Sequence, residues 1–493
     1  MKKKQLRWTL WTIASPFILF IILCILIYLP PIQNFLVDKA AVYASEATGM
    51  NISVGRISLS FPLNLVVTDV DAASPHKDTL LSVRRLQVNV QLLPLLKKQV
   101  EVDGISLQGA TVNSNDLIHG MKLNGTLGEL FISSHGVALD PETAIVNKVL
   151  LKDTDLSLCL NDTAAADTAA SDPTYWKIIL QDIDLQNVSF ALDMPLDSLS
   201  LAASLDNAIL RDGLIDLHKS AYSLQTFRIE DGRVRYDNGK PLAADSLSSG
   251  LDPSHIALTD IGVKLDSLYY GGRNMKAIIS QFVLKERSGV EIVSATGRMV
   301  SNDKVLRVPS LKLETRDSYL ELNAAMDWNA LDFKGEGLMS ARLMADIGKP
   351  DVVRFMGRMD EKFVRQYPSE PLRIRTGIDG DLNKLKLTTL TAELPGALGL
   401  FARGELTHLT DSLLRGGDIT LEAETKDLKF VSTLAEGIEI PYGTRLEGKF
   451  TMAGAKMGTD LLLMQPEAQA VAAADTIPIT VYNDSISVAD DFK

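Results

Sequence analysis

LKLETRDSYLELNAAMDW, residues 311–328, decides the fold. Leu311 and Leu313, then Leu320, Leu322 and Ala324, recur at every second position. A period of two puts these side chains on one face of a strand and the residues between them on the other. The alternation continues towards the N-terminus in Ile261/Val263/Leu265, Val234/Tyr236, Val188/Phe190/Leu192, Ile183/Leu185, Leu156/Leu158/Leu160, Val88/Val90/Leu92, Ile57/Leu59 and Ile52/Val54. Towards the C-terminus it returns in Ile419/Leu421/Ala423. Breaks carry Gly, Asn or Asp, as in Asp103-Gly104, Asn124-Gly125, Asp231-Gly232, Gly271-Gly272 and Gly416-Gly417. These residues supply the positive φ that tight turns need.

Helix signals are sparse between the strands. Lys349–Tyr367 is predicted helical, with Pro350 near its start and Val352, Val353, Phe355 and Met356 as its apolar set, and Phe430–Gly437 as a short helical turn. NDTAAADTAASDP, residues 161–173, is a small-residue loop with nothing to pack. No blade signature of 40–50 residues repeats, which excludes a propeller. Large all-β regions must hide their edges by closure, stacking or repetition. The expected fold is mainly β: an elongated, curled antiparallel sheet forming an open groove. Its expected layout is a β-region over 50–160, the loop 161–173, a continuing sheet over 174–460 with the short helix near 349–367, and an irregular end over 461–493.

The N-terminus speaks to compartment. Lys2, Lys3, Lys4 and Arg7 lie within residues 1–9 and precede LWTIASPFILFIILCILIYL, residues 10–29, which carries no charge. About 20 apolar residues span a ~30 Å hydrocarbon core. Trp8, Trp11 and Tyr28 sit near its ends, where amphipathic rings favour the interface. The run exceeds the apolar region of a signal peptide, and Pro30-Pro31 follows where a small-x-small cleavage site would stand. A single transmembrane helix with a cytoplasmic N-terminus is expected, with the remaining chain outside the cytoplasm. Ile32, Phe35, Leu36, Ala40, Tyr43, Ala44 and Ala47 then share one face of an amphipathic helix over 30–49.

Lys and Arg number 50 against 62 Asp and Glu, a formal charge of −12. Without the four basic residues before the span, 46 face 62, a balance of −16. An acidic exported portion argues against nucleic acid as partner, since phosphates need a basic surface. The two cysteines, Cys24 and Cys159, exclude a disulfide framework.

No constellation for chemistry stands out. The six histidines (His76, His119, His135, His218, His255 and His408) form no metal-binding spacing, and neither a phosphate-binding loop nor a nucleophile elbow occurs. Asp379 and Asp381 flank Gly380 as in a turn, without the ligand ladder of a calcium loop. No catalytic residue, metal or cofactor is expected.

Residues 1 to about 92 resemble the N-terminal region of the AsmA-like family, in particular its TamB branch, the translocation and assembly module inner-membrane subunit. The likeness lies in the anchor, the helix Phe35–Ala47, TGMNISVGRI at 48–57 and PLNLVVTDV at 62–70. Residues 311–328 and 372–406 look similar in texture. The resemblance implies a taco-like groove reaching from the inner membrane across the periplasm. Phospholipid acyl chains would move along its apolar lining, and an outer-membrane β-barrel would be its partner in outer-membrane biogenesis. The terminal β-rich domain common in TamB-like proteins is not legible here, as in a fragment, a shorter member or one docking segment.

A flat apolar face would let acyl chains slide while headgroups stay in water. The candidate lining positions are Ile183, Leu185, Val188, Phe190, Leu192, Leu311, Leu313, Leu320, Leu322, Ile419 and Leu421. Two other readings fit the same alternation: the core of a closed sandwich or barrel, and an envelope assembly factor that binds outer-membrane protein strands along a sheet edge.

Overall fold

In the computed structural model the chain is mainly β. The structure describes residues 39, 41, 42, 45, 50–60, 64–74, 79–91, 102–118, 121–139, 142–161, 175–239, 250–332, 336–357, 359–434, 442–454 and 456–464. The expected anchor at 10–29, most of the helix at 30–49, nearly all of the loop 161–173 and the end beyond 464 lie outside these. Among the described residues no helix is long and apolar enough to cross a membrane. The chain divides into two compact units, Met1–Lys240 and Pro241–Lys493.

The first unit holds β1 (Asn51–Ser60), β2 (Asn64–Ala73), β3 (Thr79–Val90), β4 (Val102–Ile118), β5 (Met121–Leu139), β6 (Glu142–Leu160), β7 (Lys177–Met194), β8 (Leu199–Asp216), β9 (Ala221–Leu224) and β10 (Thr226–Asp237). Strands β1 to β6 pair with their sequence neighbours, all antiparallel. The expectation of an antiparallel sheet needs one correction: β6 and β7 pair in parallel, with Thr143 opposite Lys177 and Cys159 opposite Asp193. A parallel pair cannot be joined by a tight turn and requires a crossover. β8 then pairs antiparallel with β7, and its other edge is shared by β9 and β10.

One feature recurs in nine of these strands, β1 to β8 and β10. At the same level in each, a single residue drops out of the pairing: Gly55, Asp69, Arg84, Gly109, Gly128, Asp153, Asn187, Asp206 and Asp231. Five of them have positive φ, namely Asp69, Gly109, Asp153, Asn187 and Asp231. Asp, Asn and Gly enter that region most readily. Passing this residue resets the alternation, so apolar positions such as Leu185 and Val188 are three apart, and the same spacing recurs at a second dropped position between Leu180 and Ile183. In each pair the dropped residues face one another with no shift of register, as Gly55 and Asp69 do, and a left-handed residue inside a strand turns its backbone. Because these residues align from strand to strand, they mark a crease line across nine of the ten strands. At Gly128 a Cβ would lie 2.8 Å from the Asp153 Cβ and 2.9 Å from its carbonyl oxygen, so the crease brings backbones too close for a side chain there.

Asn187 illustrates the energetics. Its φ is 51°, and its side-chain amide donates to the Asp153 carboxylate at 2.9 Å. Asn187→Val forces a β-branched residue into the left-handed region, at a cost of about 1–3 kcal/mol. Asn187→Gly removes the strain and loses only the exposed hydrogen bond. Urea unfolding is expected to rank them wild type, Gly, then Val.

The second unit is an antiparallel meander: β11 (His255–Gly271), β12 (Asn274–Glu286), β13 (Glu291–Ser301), β14 (Val305–Thr315), β15 (Tyr319–Asp327), β16 (Met339–Ile347), β17 (Leu372–Gly380), β18 (Lys384–Leu394), β19 (Leu398–Thr407), β20 (Gly416–Thr425), β21 (Arg445–Ala453) and β22 (Lys456–Met464). The single helix expected over 349–367 is two: α1 (Lys349–Met356) and α2 (Glu361–Gln366). Gly357, at φ 74°, ends the first, and the Asp360 side chain caps the second by accepting from the Lys362 amide. The turn expected at 430–437 is a 3-10 turn over Lys429–Thr433.

These pieces build a small core at one end of the strands. Phe363, Tyr367, Leu394, Ala397, Leu428 and Phe430 are buried together, and the three aromatic rings lie 5.1–5.8 Å apart. Asp351 on α1, only 1% exposed, accepts from the hydroxyls of Thr315 and Ser318 in the β14–β15 turn and from Arg354. The buried carboxylate thus pins α1 to that hairpin.

At the start of β11, the buried ring of His255 meets Asp252, with Nδ1 2.9 Å from the carboxylate. The Ser254 amide and then His255 hold the Asp252 carboxyl below its ordinary value of 3.8. A lowered folded-state value stabilises the fold above the unfolded value, and this contribution disappears as pH falls through the lowered one. Stability of the second unit is therefore expected to fall below about pH 4 more steeply in wild type than in Asp252→Asn. Urea midpoints across pH 2–6 check this.

Candidate functional site

The pairing registers turn the alternation into rows. In an antiparallel or parallel ladder, directly paired residues present their side chains to the same face. In the first unit one row runs Leu59, Leu65, Val88, Ile105, Ile132, Val149, Ile183, Leu210 and Phe227. The next runs Ile57, Val67, Leu86, Leu107, Leu130, Leu151, Leu185, Ala208 and Ile229. Nine strands thus contribute to two rows that contain no polar side chain. Across the crease, Val188 pairs with Thr154 and Leu205, Phe190 with Leu156 and Ala203, and Leu192 with Leu158 and Leu201. All five candidates on β7 therefore share one face.

The opposite face is polar. Its row beside the crease runs Arg56, Thr68, Arg85, Gln108, Glu129, Lys152, Gln186, Asn207 and Glu230. Arg211 adds ion pairs to Asp182 at 3.0 Å and to Asp184 at 2.6 Å. The sheet is amphipathic across its width, one side built for water and the other for apolar contact.

In the second unit the six remaining candidates also fall on one face. Leu311 pairs with Gly297 and Leu322, and Leu322 pairs onward with Leu343. Leu313 pairs with Ala295 and Leu320, and Leu320 with Ala345. Further along, Leu421 pairs with Ala402 and Gly448, and Ile419 with Gly404 and Phe450. Register carries Leu322 to Leu421 through Leu343, Thr376, Leu390 and Ala402, so one row links the two clusters.

Burial separates this face from an ordinary core. Ten of the eleven candidates are half-buried, and Phe190 is 38% exposed. The buried members near the crease are small or short: Val83, Ala110, Thr154 and Ala208. In the second unit Ala295, Ala345 and Ala402 are buried while the leucines beside them are half-buried. A sealed sandwich would bury its large aliphatic side chains most deeply. Here the large ones retain access and the small ones do not.

Sequence alternation missed members that the rows supply, among them Leu130, Leu151, Leu205, Leu210, Leu343 and Leu390. The spacing of three at the crease hides several, because strict period two breaks there.

Among the described residues no group of His, Cys, Asp or Glu is placed to hold a metal. A cleft of about 150 Å³ at the β18–β19 turn, lined by Glu393, Gly396, Ala397, Glu424 and Lys426, is smaller than the 300–1,000 Å³ typical of small-molecule sites. No protein-family model matches the chain, and no curated protein matches it.

Proposed function

We propose that the chain is an inner-membrane-anchored periplasmic protein whose sheet forms an open groove and conducts phospholipid between the inner and outer membranes, in support of outer-membrane biogenesis. One observation carries the reading: in each unit apolar side chains line up in register from strand to strand, and the large ones remain half exposed. Bare exposure of such a face is unfavourable, at about 25 cal/mol per Å². Acyl chains have the complementary problem, since each methylene in water costs about 0.8 kcal/mol. Laying one against the other relieves both.

The crease along the first unit suits a groove, because it lies at one level in nine strands and the residues buried near it are small or short. Rows without charges give a flat profile, so a chain can slide without being trapped. The headgroup stays in water at the open side and needs no charged pocket. The residues in rows act by contact alone, and no covalent chemistry is required of them. The hydrophobic run at 10–29 and the resemblance of residues 1–92 to the TamB branch support the placement: N-terminus in the cytoplasm, bulk in the periplasm, an outer-membrane β-barrel as partner.

The test is native mass spectrometry of the whole chain extracted in mild detergent. Co-purified phospholipid is expected. Lipid-free protein that captures unfolded outer-membrane protein strands would replace the conduit with strand addition at a sheet edge.

A further inference from the structure

Strand length differs between the units, and it sets the width of the apolar face. β6, β7 and β8 have 19, 18 and 18 residues, whereas β15, β16 and β17 have 9 each. At about 3.3 Å per residue these are ~60 Å and ~30 Å of strand. On β7 the apolar face runs from Ile178 to Met194, continuing past the candidate set at both ends. It stays apolar on the neighbours too: Ile178 pairs with Ala144 and Ile215, and Leu180 with Val146. On β15 the same face has only Leu320, Leu322, Ala324 and Met326.

This width bears on how many acyl chains can lie abreast. Chains in contact with a curved sheet occupy its inner perimeter, and the cross-section enclosed grows faster than the perimeter. Doubling the perimeter more than doubles the number of chains that can be seated at one level. The crease divides the long strands of the first unit into two walls, each about as long as a whole strand of β15–β17.

We propose that the β5–β8 face of the first unit seats an amphiphile with four acyl chains at one level, and that the β15–β17 face of the second unit accepts two-chain lipid and excludes the four-chain one. This rests on the conduit reading and refines its substrate class by size.

The experiment uses the whole chain with the photoreactive residue p-benzoylphenylalanine replacing either Leu185 or Leu322. Each protein is incubated with phosphatidylglycerol vesicles carrying a radiolabelled trace of either two-chain phosphatidylglycerol or four-chain bis(phosphatidyl)glycerol, then irradiated. The two probes share headgroup chemistry and differ in the number of chains. Expected is labelling of both positions by the two-chain lipid. The four-chain lipid should label position 185 comparably and position 322 about tenfold less, because chains left unseated remain in water. Equal labelling of both positions by the four-chain lipid overturns the size inference, and so does its failure at both while the two-chain lipid labels both. If the two-chain lipid labels neither position, the conduit reading itself falls.

Discussion

Replacing Leu313 and Leu322 together by Asp is expected to cut co-purified phospholipid at least about tenfold while the sheet still folds. The two residues sit in adjacent rows of one face, Leu313 against Ala295 and Leu320, Leu322 against Leu311 and Leu343. A carboxylate laid against an acyl chain must shed water without gaining a partner, a cost of several kcal/mol. Each tenfold of affinity is about 1.4 kcal/mol, so even partial desolvation gives the expected loss. Folding survives because neither leucine is fully buried, and the new carboxylates can hydrate when no lipid is present. Asn323→Asp is the matched control. It follows Leu322 on β15, on the opposite face, is exposed, and pairs with Arg342. Its lipid content should equal that of wild type.

Phe363→Ala is expected to have the largest effect on stability, about 3–5 kcal/mol. Phe363 is 1% exposed and packs its ring against Tyr367 and Phe430. That cluster joins α2, the β18–β19 turn and the 3-10 turn after β20, which have no other extensive core among the described residues. α2 has only six residues, far too short to persist without tertiary packing. Truncating the ring should therefore release α2 and the 3-10 turn together. Hydrogen exchange should show lost protection over 361–367 and 428–434, with β4–β8 unchanged. Protection unchanged in both segments would mean that the cluster is not what holds them.

Much of the fold was legible because strand alternation is a direct imprint of a two-faced sheet. Leu311/Leu313 and Leu320/Leu322 were placed on one face by spacing alone, and the registers put them there. What spacing could not supply was pairing. The Asn124-Gly125 dipeptide reads as a hairpin turn, yet it lies inside β5, opposite Asn113 and Val112. Turning there would break the match of Ala110 with Leu127 and of Leu107 with Leu130, and a slip of one residue would carry a whole apolar face to the wrong side. Asp231-Gly232 likewise reads as a turn and serves instead as the crease in β10, with Asp231 at φ 55°. The chemical signal for positive φ was present in both sequence and structure; its use differed. The parallel step from β6 to β7 left no local mark, because direction depends on the route of the connection rather than on either strand. The split of the helical segment into α1 and α2 is visible afterwards in Gly357, which a propensity reading passes over when apolar residues continue on both sides.

The eleven candidates emerged because each belongs to a run of two or three apolar residues at period two. Leu151 and Leu205, equally part of the face, are displaced by the crease and show themselves only through their partners. An alternation rule that permits one spacing of three, flanked by Asp, Asn or Gly, would have recovered them.

We propose that in each unit an apolar face stands open and is covered by acyl chains. Nitroxide labels at Leu185 and Leu322, read by power-saturation electron paramagnetic resonance, test it most directly. In lipid-free protein both labels are expected to collide with a water-soluble nickel chelate. After phospholipid is added, that collision rate should fall and collision with oxygen should rise, as the labels pass from water to hydrocarbon. Labels shielded from the chelate before any lipid is present, and unchanged after it is added, would mean a sealed interior and would contradict the account.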